Sequence, residues 1–517
     1  MKNINSIFLL PLMLFTYSCS SILDINENPN EPTESTPELV FPQALVSTAA
    51  RVPAYSNYGG RTVGYIANGG GVSGWGSFIS YNYTTSDFDE LFQDTYNTLE
   101  DLQYVINTTI DDPSRQDYRY ACEIFKVYNF INLVDTYNNV PYSEALQGLE
   151  NLTPAYDNAE DIYKDLGDEL DEAILYFLDN EMSGSFQISD FLFHGDPTKW
   201  AKLANTLKLK LIIKAKDKVD FTTTSMNSVG FITEDVIVNP GYTRADGKQN
   251  PTWNRWAYDY AGNVAAGANQ VVPTPYIMAF FNGSKLSDNA RAVLFFKSGT
   301  STGTNQLGYQ QDDAAQGLSP SCWFVGSNVT TYSQVGVLKG PAAGQPIFLL
   351  SESFFLQAEA VLDGIISADI KTLFDSGIKE SYVYLNRNES DATSTSANKE
   401  TFFTSYKTAN SSNYLVNFDL ATTNAQKLEA IITQKYIAFN MLFGHESWNE
   451  YRRTGYPISS AAVTEANRNL TFVSLVSEST ATDRLPTRIL YPASEFAYNP
   501  LNVPSVDKYS SKIFWAR

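Results

Sequence analysis

A helical spacing of apolar residues recurs along much of this chain and constrains its fold more than any other feature. The clearest instance follows Asp196 and Pro197, residue types suited to the N-cap and the first position of a helix. One face then carries Trp200, Leu203, Ala204, Leu207 and Leu211. The lysines that we place largely off this face are Lys199, Lys202, Lys208 and Lys210.

Further segments repeat this period. A second helix is predicted to start at Asp157, with Glu160 placed for a reciprocal cap. Other predicted helices cover residues 119–134, 351–362, 372–384 and 427–443. Helices of this length in close succession predict an all-α fold with little β structure. We expect a scaffold of helix pairs similar to tetratricopeptide arrays.

Long segments without a helical period separate these helices. They cover residues 59–87, 239–345 and 459–517, and they are rich in glycine and aromatic residues. Ordered loops of such length are usually functional, and their aromatic content argues against disorder. The sequence therefore predicts a helical scaffold that supports elaborated, aromatic-rich loops.

The N-terminus has the pattern of an export signal. Lys2 precedes a short apolar stretch, and Ser18 stands directly before Cys19. The stretch is far shorter than the ~20 residues that span a bilayer. We expect cleavage after residue 18 and attachment of lipid, including palmitate-type acyl chains, to Cys19. The alternative is ordinary secretion with Cys19 merely near the cut.

These features give a domain plan. Residues 1–18 are the predicted signal peptide, residues 19–42 a lipidated flexible tether, and residues 43–517 a single helical domain. The loop-rich insertion covers about 239–345 of that domain.

Composition excludes some partners. The formal net charge is −21, which disfavours nucleic acid and anionic lipid headgroups because both require clustered positive charge. Apart from Cys19, the only cysteines are Cys122 and Cys322, so at most one disulfide can form and their pairing stays open.

Catalytic motifs are scarce, and we predict no catalytic residue, metal or cofactor. His445 and Glu446 lack the second histidine of the zinc-protease spacing. Residues 299–303 match the nucleophile-elbow pattern around Ser301, which requires a strand before the serine and a helix directly after it. Residues 293–296 are compatible with the strand, but no helical period follows residue 303. A surface hydrolase, including one with paired carboxylates, remains a minor alternative.

Aromatic residues in polar, glycine-rich loops give the positive signal. Sugars present flat C–H faces that aromatic rings bind, while polar side chains serve their hydroxyls. If residues 253–260 were extended, Trp256, Tyr258 and Tyr260 would share a face. If they were helical, Trp253, Trp256 and Tyr260 would align. Alternatively, the rings fill crevices between loops and scaffold. The candidate ligand-binding residues are Trp75, Tyr81, Trp253, Arg255, Trp256, Tyr258, Tyr260 and Trp323.

Four motifs resemble hallmarks of the SusD/RagB outer-membrane lipoproteins. They are residues 134–145 (VDTYNNVPYSEA), 195–209 (GDPTKW followed by ANTLKL), 448–457 (Trp448 to Arg452-Arg453 and Pro457) and 486–499 (Pro486-Thr487-Arg488 to Asn499). Asn138-Asn139 departs from the more usual Gly-Asp pair, and Phe514-Trp515 departs from the usual paired aromatic end. In such motifs we expect 134–145 to form a helix end and turn, and Arg452 and Arg453 to pair with carboxylates.

The resemblance implies a tetratricopeptide-like fold and a lipid-anchored location on the outer, surface-exposed face of the outer membrane. It also implies a partner, a SusC-like TonB-dependent β-barrel that this protein would cover as a lid while delivering nutrient oligosaccharides. Peptide or glycopeptide cargo is the main alternative. The family's binding residues vary, so none is transferred to this chain.

Overall fold

The fold is mainly helical with little strand, as the apolar spacing predicts. A computed structural model describes residues 35–69, 75–265, 267–308, 330–393 and 397–517. Residues 37–517 form one compact unit. The predicted signal peptide, Cys19, Cys322 and Trp323 lie outside the described residues, as does the tether up to residue 34.

The long helices pack in succession, α3 on α4, α4 on α5, α5 on α7, and later α11 on α12. The helices are α1 (Pro37–Thr62), α2 (Gly76–Ser80), α3 (Glu90–Thr109), α4 (Gln116–Tyr137), α5 (Ala159–Asp179), α6 (Gly184–Ser189), α7 (Pro197–Ala215), α8 (Pro251–Trp256), α9 (Pro275–Met278), α10 (Asn289–Phe295), α11 (Leu350–Leu362), α12 (Ile370–Asn386), α13 (Lys399–Ala409), α14 (Asn424–Ala438), α15 (Gly444–Thr454) and α16 (Ala493–Tyr498).

Short antiparallel strand pairs connect distant parts of the chain. The strands are β1 (Ile66–Asn68), β2 (Val140–Pro141), β3 (Tyr156–Asp157), β4 (Val236–Val238), β5 (Val271–Pro273) and β6 (Gln345–Phe348). Strand β1 pairs with β5, β2 with β3, and β4 with β6. The β1–β5 pair places a strand of the 239–345 insertion against the segment after α1, and the β4–β6 pair joins the two ends of that insertion. Among the described helices, none has the length and apolar character needed to cross a bilayer.

Helix α7 has the predicted start but not the predicted polar face. The Asp196 carboxylate accepts hydrogen bonds from the backbone N–H groups of Thr198 and Lys199 at 2.9 and 3.2 Å. The prediction that Lys208 and Lys210 lie off the buried face is wrong. Both are buried, and they form ion pairs with Asp171 at 2.7 Å and with Glu446 at 2.8 Å. Helix α7 is therefore surrounded by other elements on nearly all sides, and burial of its lysines requires these acidic partners.

Helix α5 starts one residue later than the N-cap prediction. Asn158 is the N-cap, and its side chain accepts hydrogen bonds from the backbone N–H groups of Glu160 and Asp161. The Asp157 carboxylate instead accepts hydrogen bonds from Tyr142 and Ser143. The prediction of Asp157 as the cap was wrong because this side chain serves the turn after β2.

Helix α14 is shorter than predicted. It starts with a capping box in which the side chains of Thr423 and Gln426 each bond the backbone of the other residue. It ends at Ala438, and a turn with a positive φ of 67° at Met441 separates it from α15. The predicted helix over 427–443 is therefore wrong beyond Ala438, because α15 leaves in a new direction.

Helix α1 was not predicted, and it starts at Pro37, before the predicted end of the tether at Pro42. Its Gly59 lies against Gly444 at the start of α15. A Cβ atom on Gly59 would be 2.2 Å from the carbonyl oxygen of Gly444, and one on Gly444 would be 2.3 Å from that of Ser56. Only glycine permits this backbone approach between the two helices.

Two of the motifs noted in the sequence, 134–145 and 448–457, meet at Asp135 near the end of α4. Its carboxylate accepts hydrogen bonds from Tyr163, Lys214, Asn449 and Trp515. As expected, the motif over 134–145 forms the end of α4, a turn at Asn138 with φ of 65°, and strand β2. The polar side chains of these motifs thus join distant segments inside the scaffold.

The two adjacent arginines of α15 behave differently. Arg453 pairs with Glu359 and Glu450, as expected. Arg452 forms no ion pair within the described residues, and its guanidinium donates to the main-chain oxygens of Thr487 and Asp135. The expected carboxylate partner of Arg452 is therefore replaced by carbonyl groups.

Candidate functional site

Trp75 and Tyr81 lie at the two ends of the short helix α2. Trp75 is the residue before the helix and is 5% exposed. Tyr81 follows the helix with a left-handed φ of 59°, and it is fully buried. The Tyr81 hydroxyl accepts a hydrogen bond from the backbone N–H of Ser474 at 3.1 Å. Tyr81 therefore anchors this loop to the segment around Ser474.

Helix α8 carries three of the candidate residues. Asn250 caps it by accepting a hydrogen bond from the backbone N–H of Trp253, and Pro251 is its first residue. Trp253 and Trp256 are buried, and Arg255 is partly exposed. Because the helix ends at Trp256, neither of the two predicted alignments extends over the whole run from 253 to 260.

The residues after α8 form a small turn. The backbones of Tyr258 and Val264 form an antiparallel bridge, and Tyr260 at the turn is 46% exposed. The side chain of Arg244 donates to the carbonyl oxygen of Tyr260 at 3.0 Å. Tyr260 is therefore the most accessible ring among the described candidates.

Trp253 packs in a separate aromatic group with Tyr258 and Tyr332. Its ring centroid lies 5.1 Å from that of Tyr332 and 6.0 Å from that of Tyr258. The Tyr332 hydroxyl donates to Glu389 at 2.7 Å. These contacts fix the insertion against the segment after α12, which matches the interpretation that some rings fill crevices between loops and scaffold.

Three other candidates, Trp75, Arg255 and Trp256, take part in arginine–aromatic contacts, and Trp75 does so with Arg61, which was not among the predicted site residues. The guanidinium carbon of Arg61, in the last turn of α1, lies 4.1 Å from the ring centroid of Trp75 and 4.3 Å from that of Phe78. The guanidinium carbon of Arg255 lies 5.5 Å from the ring centroid of Trp256. Helices α1 and α8 are in contact. We call Arg61, Trp75, Phe78, Arg255 and Trp256 the arginine–aromatic cluster.

Positive charge in this cluster is not neutralised by ion pairs. Burial lowers the pKa of Arg61 to about 10, and the charge of Arg255 lowers it further. Burial also lowers the pKa of Arg255. Within the described residues, neither guanidinium has a carboxylate at ion-pair distance. Arg61 Nε donates to Asn57 at 3.0 Å, whereas its Nη1 is buried and has no hydrogen bond to any described residue. Cations held beside aromatic faces suit oxygen-rich ligands.

Sequence reasoning could not identify Arg61 or Phe78. Arg61 belongs to α1, which was not predicted, and Phe78 belongs to a five-residue helix within a predicted loop. The Gly59-Gly60 pair next to Arg61 was a signal of close packing, but it gave no indication of which rings would reach the arginine.

A groove of about 850 Å³ between α3, α4, α5 and the segment 142–150 was also missed. Its carboxylates include Asp165 and Glu169, and the Tyr142 hydroxyl donates to Asp165 at 2.5 Å. Burial raises the pKa of Glu169 to about 7, and Lys126 lies 3.2 Å from that carboxylate. These side chains come from separate helices, so no local sequence pattern marks the groove.

The segment that matches the nucleophile-elbow pattern has a different conformation. Gly299–Ser301 forms one 3₁₀ turn after helix α10. The segment 293–296, considered as the strand before the elbow, belongs to α10 up to Phe295. His445 is buried on α15 beside the rings of Tyr55 and Phe443. Across the described ranges, no group of three or more His, Cys, Asp or Glu side chains could hold a metal ion.

Comparison with known proteins places the chain in a family. The sequence profile of the family described as "SusD-like_2: Starch-binding associating with outer membrane" matches residues 29–492. No curated protein is similar enough in sequence to count as a match.

Solved structures share the fold at low sequence identity. A SusD homolog from Bacteroides uniformis is 22% identical with a TM-score of 0.65, covering 93% of this chain and 99% of its own. A chitin-binding SusD homolog from Flavobacterium johnsoniae is 18% identical with a TM-score of 0.65, covering 92% and 97%. A SusD/RagB family protein from Bacteroides thetaiotaomicron is 16% identical with a TM-score of 0.67, covering 93% and 99%. With a family profile that matches most of its length and a shared helical fold, the chain belongs to the SusD-like family.

Proposed function

We propose that this protein captures nutrient oligosaccharides at the cell surface through the arginine–aromatic cluster. The observation that carries the proposal is the meeting of α1, α2 and α8 at this cluster. Trp75, Phe78 and Trp256 supply rings there, and two guanidinium groups that have no carboxylate partner in the described ranges supply hydrogen-bond donors. Rings and unpaired donors together suit a polyhydroxylated ligand.

The family supports this class of ligand. Its description names starch binding and association with the outer membrane, and one relative of similar fold is described as chitin-binding. Binding rather than turnover is the proposed activity, because the segment around Ser301 lacks the strand–turn–helix geometry of a nucleophile elbow.

We also propose a cellular location and a partner for this protein. We assign Cys19 as the lipid anchor, residues 20–36 as a tether and the outer face of the outer membrane as the site of display. The partner is a SusC-like TonB-dependent β-barrel, which the protein covers as a hinged lid and to which it passes its cargo. The predicted signal sequence and the family description support these assignments.

Calorimetric titration of the mature protein with a panel of oligosaccharides tests the capture site. The panel includes chito-oligosaccharides and malto-oligosaccharides. Arg255→Gln should weaken binding about fivefold, because one charge-assisted hydrogen bond is lost while no carboxylate is left unpaired. Trp256→Ala should weaken it more, since it removes a stacking ring.

Tyr498→Ala is the matched control, because it removes an aromatic ring that is 77% exposed and remote in sequence from the cluster. It should leave binding unchanged. Thermal unfolding of every variant separates lost binding from lost folding, which matters for the buried Trp256. The site assignment is wrong if folded Arg255→Gln and Trp256→Ala proteins bind the same glycan with unchanged affinity.

Peptide cargo is the alternative outcome. Mass spectrometry of ligands that co-purify with the protein and its barrel partner distinguishes the two classes. Recovery of peptides without glycan would replace the oligosaccharide proposal, while leaving the lid role in place.

A further inference from the structure

A second cavity lies between α15 and the segment from 481 to 517. It has a volume of about 620 Å³, within the range that small ligands occupy. Its wall includes Trp448, Tyr451, Arg452, Tyr509, Lys512 and Arg517. We call it the C-terminal cavity. None of its lining residues belongs to the arginine–aromatic cluster.

The side-chain charge around this cavity is opposite to that of the whole protein. Three cationic side chains line it, Arg452, Lys512 and Arg517, against the single carboxylate side chain of Asp483. The whole chain carries a formal net charge of −21. In the part of the chain that the structure describes, no carboxylate lies within ion-pair distance of these three cations. In so acidic a protein, an excess of cations without a carboxylate partner among the described residues favours an anionic occupant.

Arg452 supplies a buried charge with an unused donor. It is 6% exposed, and its Nη1 donates to the main-chain oxygen of Thr487 at 3.1 Å. Its Nη2 donates to the main-chain oxygen of Asp135 and to Asn449, both at 2.6 Å. Its Nε is buried without a partner among the described residues. Burial lowers the pKa of this guanidinium, and the nearby charge of Asp135 only partly offsets that effect.

The other walls combine buried rings with hydroxyl groups. Trp448 and Tyr451 are stacked at 5.9 Å with an angle of 13° between their planes, and the guanidinium carbons of Arg452 and Arg517 lie 5.3 and 5.2 Å from their respective ring centroids. The Tyr509 hydroxyl is shielded from solvent and makes no hydrogen bond with the described residues. Thr482 adds an exposed hydroxyl. An occupant with hydroxyl groups would supply partners that the protein itself does not supply.

We infer that the C-terminal cavity binds a carboxylate-bearing sugar unit, a hexuronate, as a second site distinct from the arginine–aromatic cluster. Lys512 and Arg517 on the rim would hold the carboxylate, and the buried charge of Arg452 would stabilise it from below. The saccharide class rests on the proposed function, whereas the position and the charge preference rest on the cavity alone.

Calorimetric titration of the mature protein with trigalacturonate tests this site. The matched neutral probe is the fully methyl-esterified trigalacturonate, which keeps the ring shape and removes the charge. Acetate tests whether any carboxylate suffices. We expect trigalacturonate to bind at least about tenfold more tightly than its ester, and its affinity to fall as salt screens the cations.

The variants avoid the buried core. Lys512→Gln and Arg517→Gln should each weaken binding about threefold, as loss of an exposed ion pair does, and together about tenfold. Tyr509→Phe should weaken it about fivefold without loss of thermal stability, because its hydroxyl has no partner in the described protein. Lys164→Gln, an exposed lysine on α5, is the charge-matched control and should change nothing.

Each outcome decides the proposal. Equal binding of the ester or of acetate would overturn it, as would unchanged affinity in the Lys512→Gln/Arg517→Gln double variant. Absence of trigalacturonate binding alongside binding of a neutral oligosaccharide sensitive to Arg255→Gln would overturn this site and leave the proposed function standing. Binding of trigalacturonate that Arg255→Gln abolishes and Tyr509→Phe leaves intact would move the acidic sugar to the arginine–aromatic cluster.

Discussion

The guanidinium of Arg453 on α15 donates two parallel hydrogen bonds to the carboxylate of Glu359 on α11, from Nη1 to Oε1 at 2.6 Å and from Nη2 to Oε2 at 2.9 Å. The same guanidinium also contacts Glu450. Both carboxylates are almost fully buried, so Arg453 lies between two negative charges inside the scaffold, and Lys435 also pairs with Glu450 at 2.7 Å. The planar geometry of arginine permits this arrangement, and a lysine could not reproduce it.

Replacement of Arg453 should therefore be costly. Arg453→Leu leaves the Glu359 and Glu450 carboxylates buried without this partner, and we expect the free energy of unfolding to fall by about 3–5 kcal/mol. Urea denaturation measures the change. Lys407→Leu breaks the exposed pair with Asp419 and should cost less than about 1 kcal/mol. Similar losses in the two variants would contradict the role assigned to the buried pair.

Glu169 should make stability depend on pH. Its pKa rises from 4.5 to about 7 in the folded protein because of burial. Between these values the folded state binds more protons than the unfolded state, so stability falls as the pH rises. This contribution is fully present below pH 4.5 and lost above about pH 7, and it amounts to at most about 3 kcal/mol.

Glu169→Gln should reduce the loss of stability between pH 4.5 and pH 7. A series of denaturation curves over this pH range measures it. Glu150→Gln, which removes an exposed carboxylate from the same groove, should leave the fall in place. A wild-type slope that persists unchanged in Glu169→Gln would show that another group causes it.

Lys285 should be unusually reactive toward acylating reagents. Burial lowers its pKa to about 7, its Nζ lies 3.6 Å from the ring centroid of Tyr276, and it lines a cavity of about 530 Å³. At pH 7.5 a large fraction of its amine is neutral and nucleophilic. Mass spectrometry of briefly acetylated protein should find Lys285 modified about tenfold faster than the exposed Lys164.

Lys339 provides the contrast. Burial lowers its pKa to about 7 as well, but its Nζ donates to the main-chain oxygens of Gly336, Tyr384 and Arg387 and is buried. It should stay unmodified until the protein unfolds. Rapid labelling of Lys339 in the folded protein would show that pKa alone, rather than access, controls this chemistry.

The glycine contact between α1 and α15 should not tolerate a side chain. Gly444→Ala would place a methyl group 2.3 Å from the Ser56 carbonyl oxygen, and we expect a loss of about 2–3 kcal/mol. Gly184→Ala meets no atom within 4 Å and should leave stability unchanged or raise it by up to about 1 kcal/mol. Thermal unfolding compares the two, and an equal effect would show that the packing is not limiting.

The predictability of each helix follows from how much of its surface meets solvent. Helix α5 alternates buried and exposed positions, so its period was visible and only its cap was misplaced. Helix α1 was missed because it is buried around much of its circumference and contains Pro42, Pro53 and two glycines. A helix without a continuous polar face shows no amphipathic period, and proline and glycine there imitate a loop.

The candidate site was predictable only in part for a related reason. Composition identified Trp75, Arg255 and Trp256 as candidates, but it could not show that Arg61 lies against Trp75. It also could not separate Trp256 from Trp253, three residues away, which packs in another aromatic group. The burial of an aromatic ring and the residues that it contacts depend on segments distant in sequence. The residues next to the ring in the chain do not specify them.

The four donors gathered on Asp135 have a consequence for how this sequence can diverge. Tyr163, Lys214, Asn449 and Trp515 belong to α5, α7, α15 and the segment after α16, and all donate to this one carboxylate, while Lys214 also pairs with Glu446 at 3.0 Å. Loss of the acidic group would leave several buried donors unpaired at once, so no single second change could compensate. Among relatives, position 135 should covary with these four positions as a set, and hydrogen exchange should show the four segments opening as one cooperative unit.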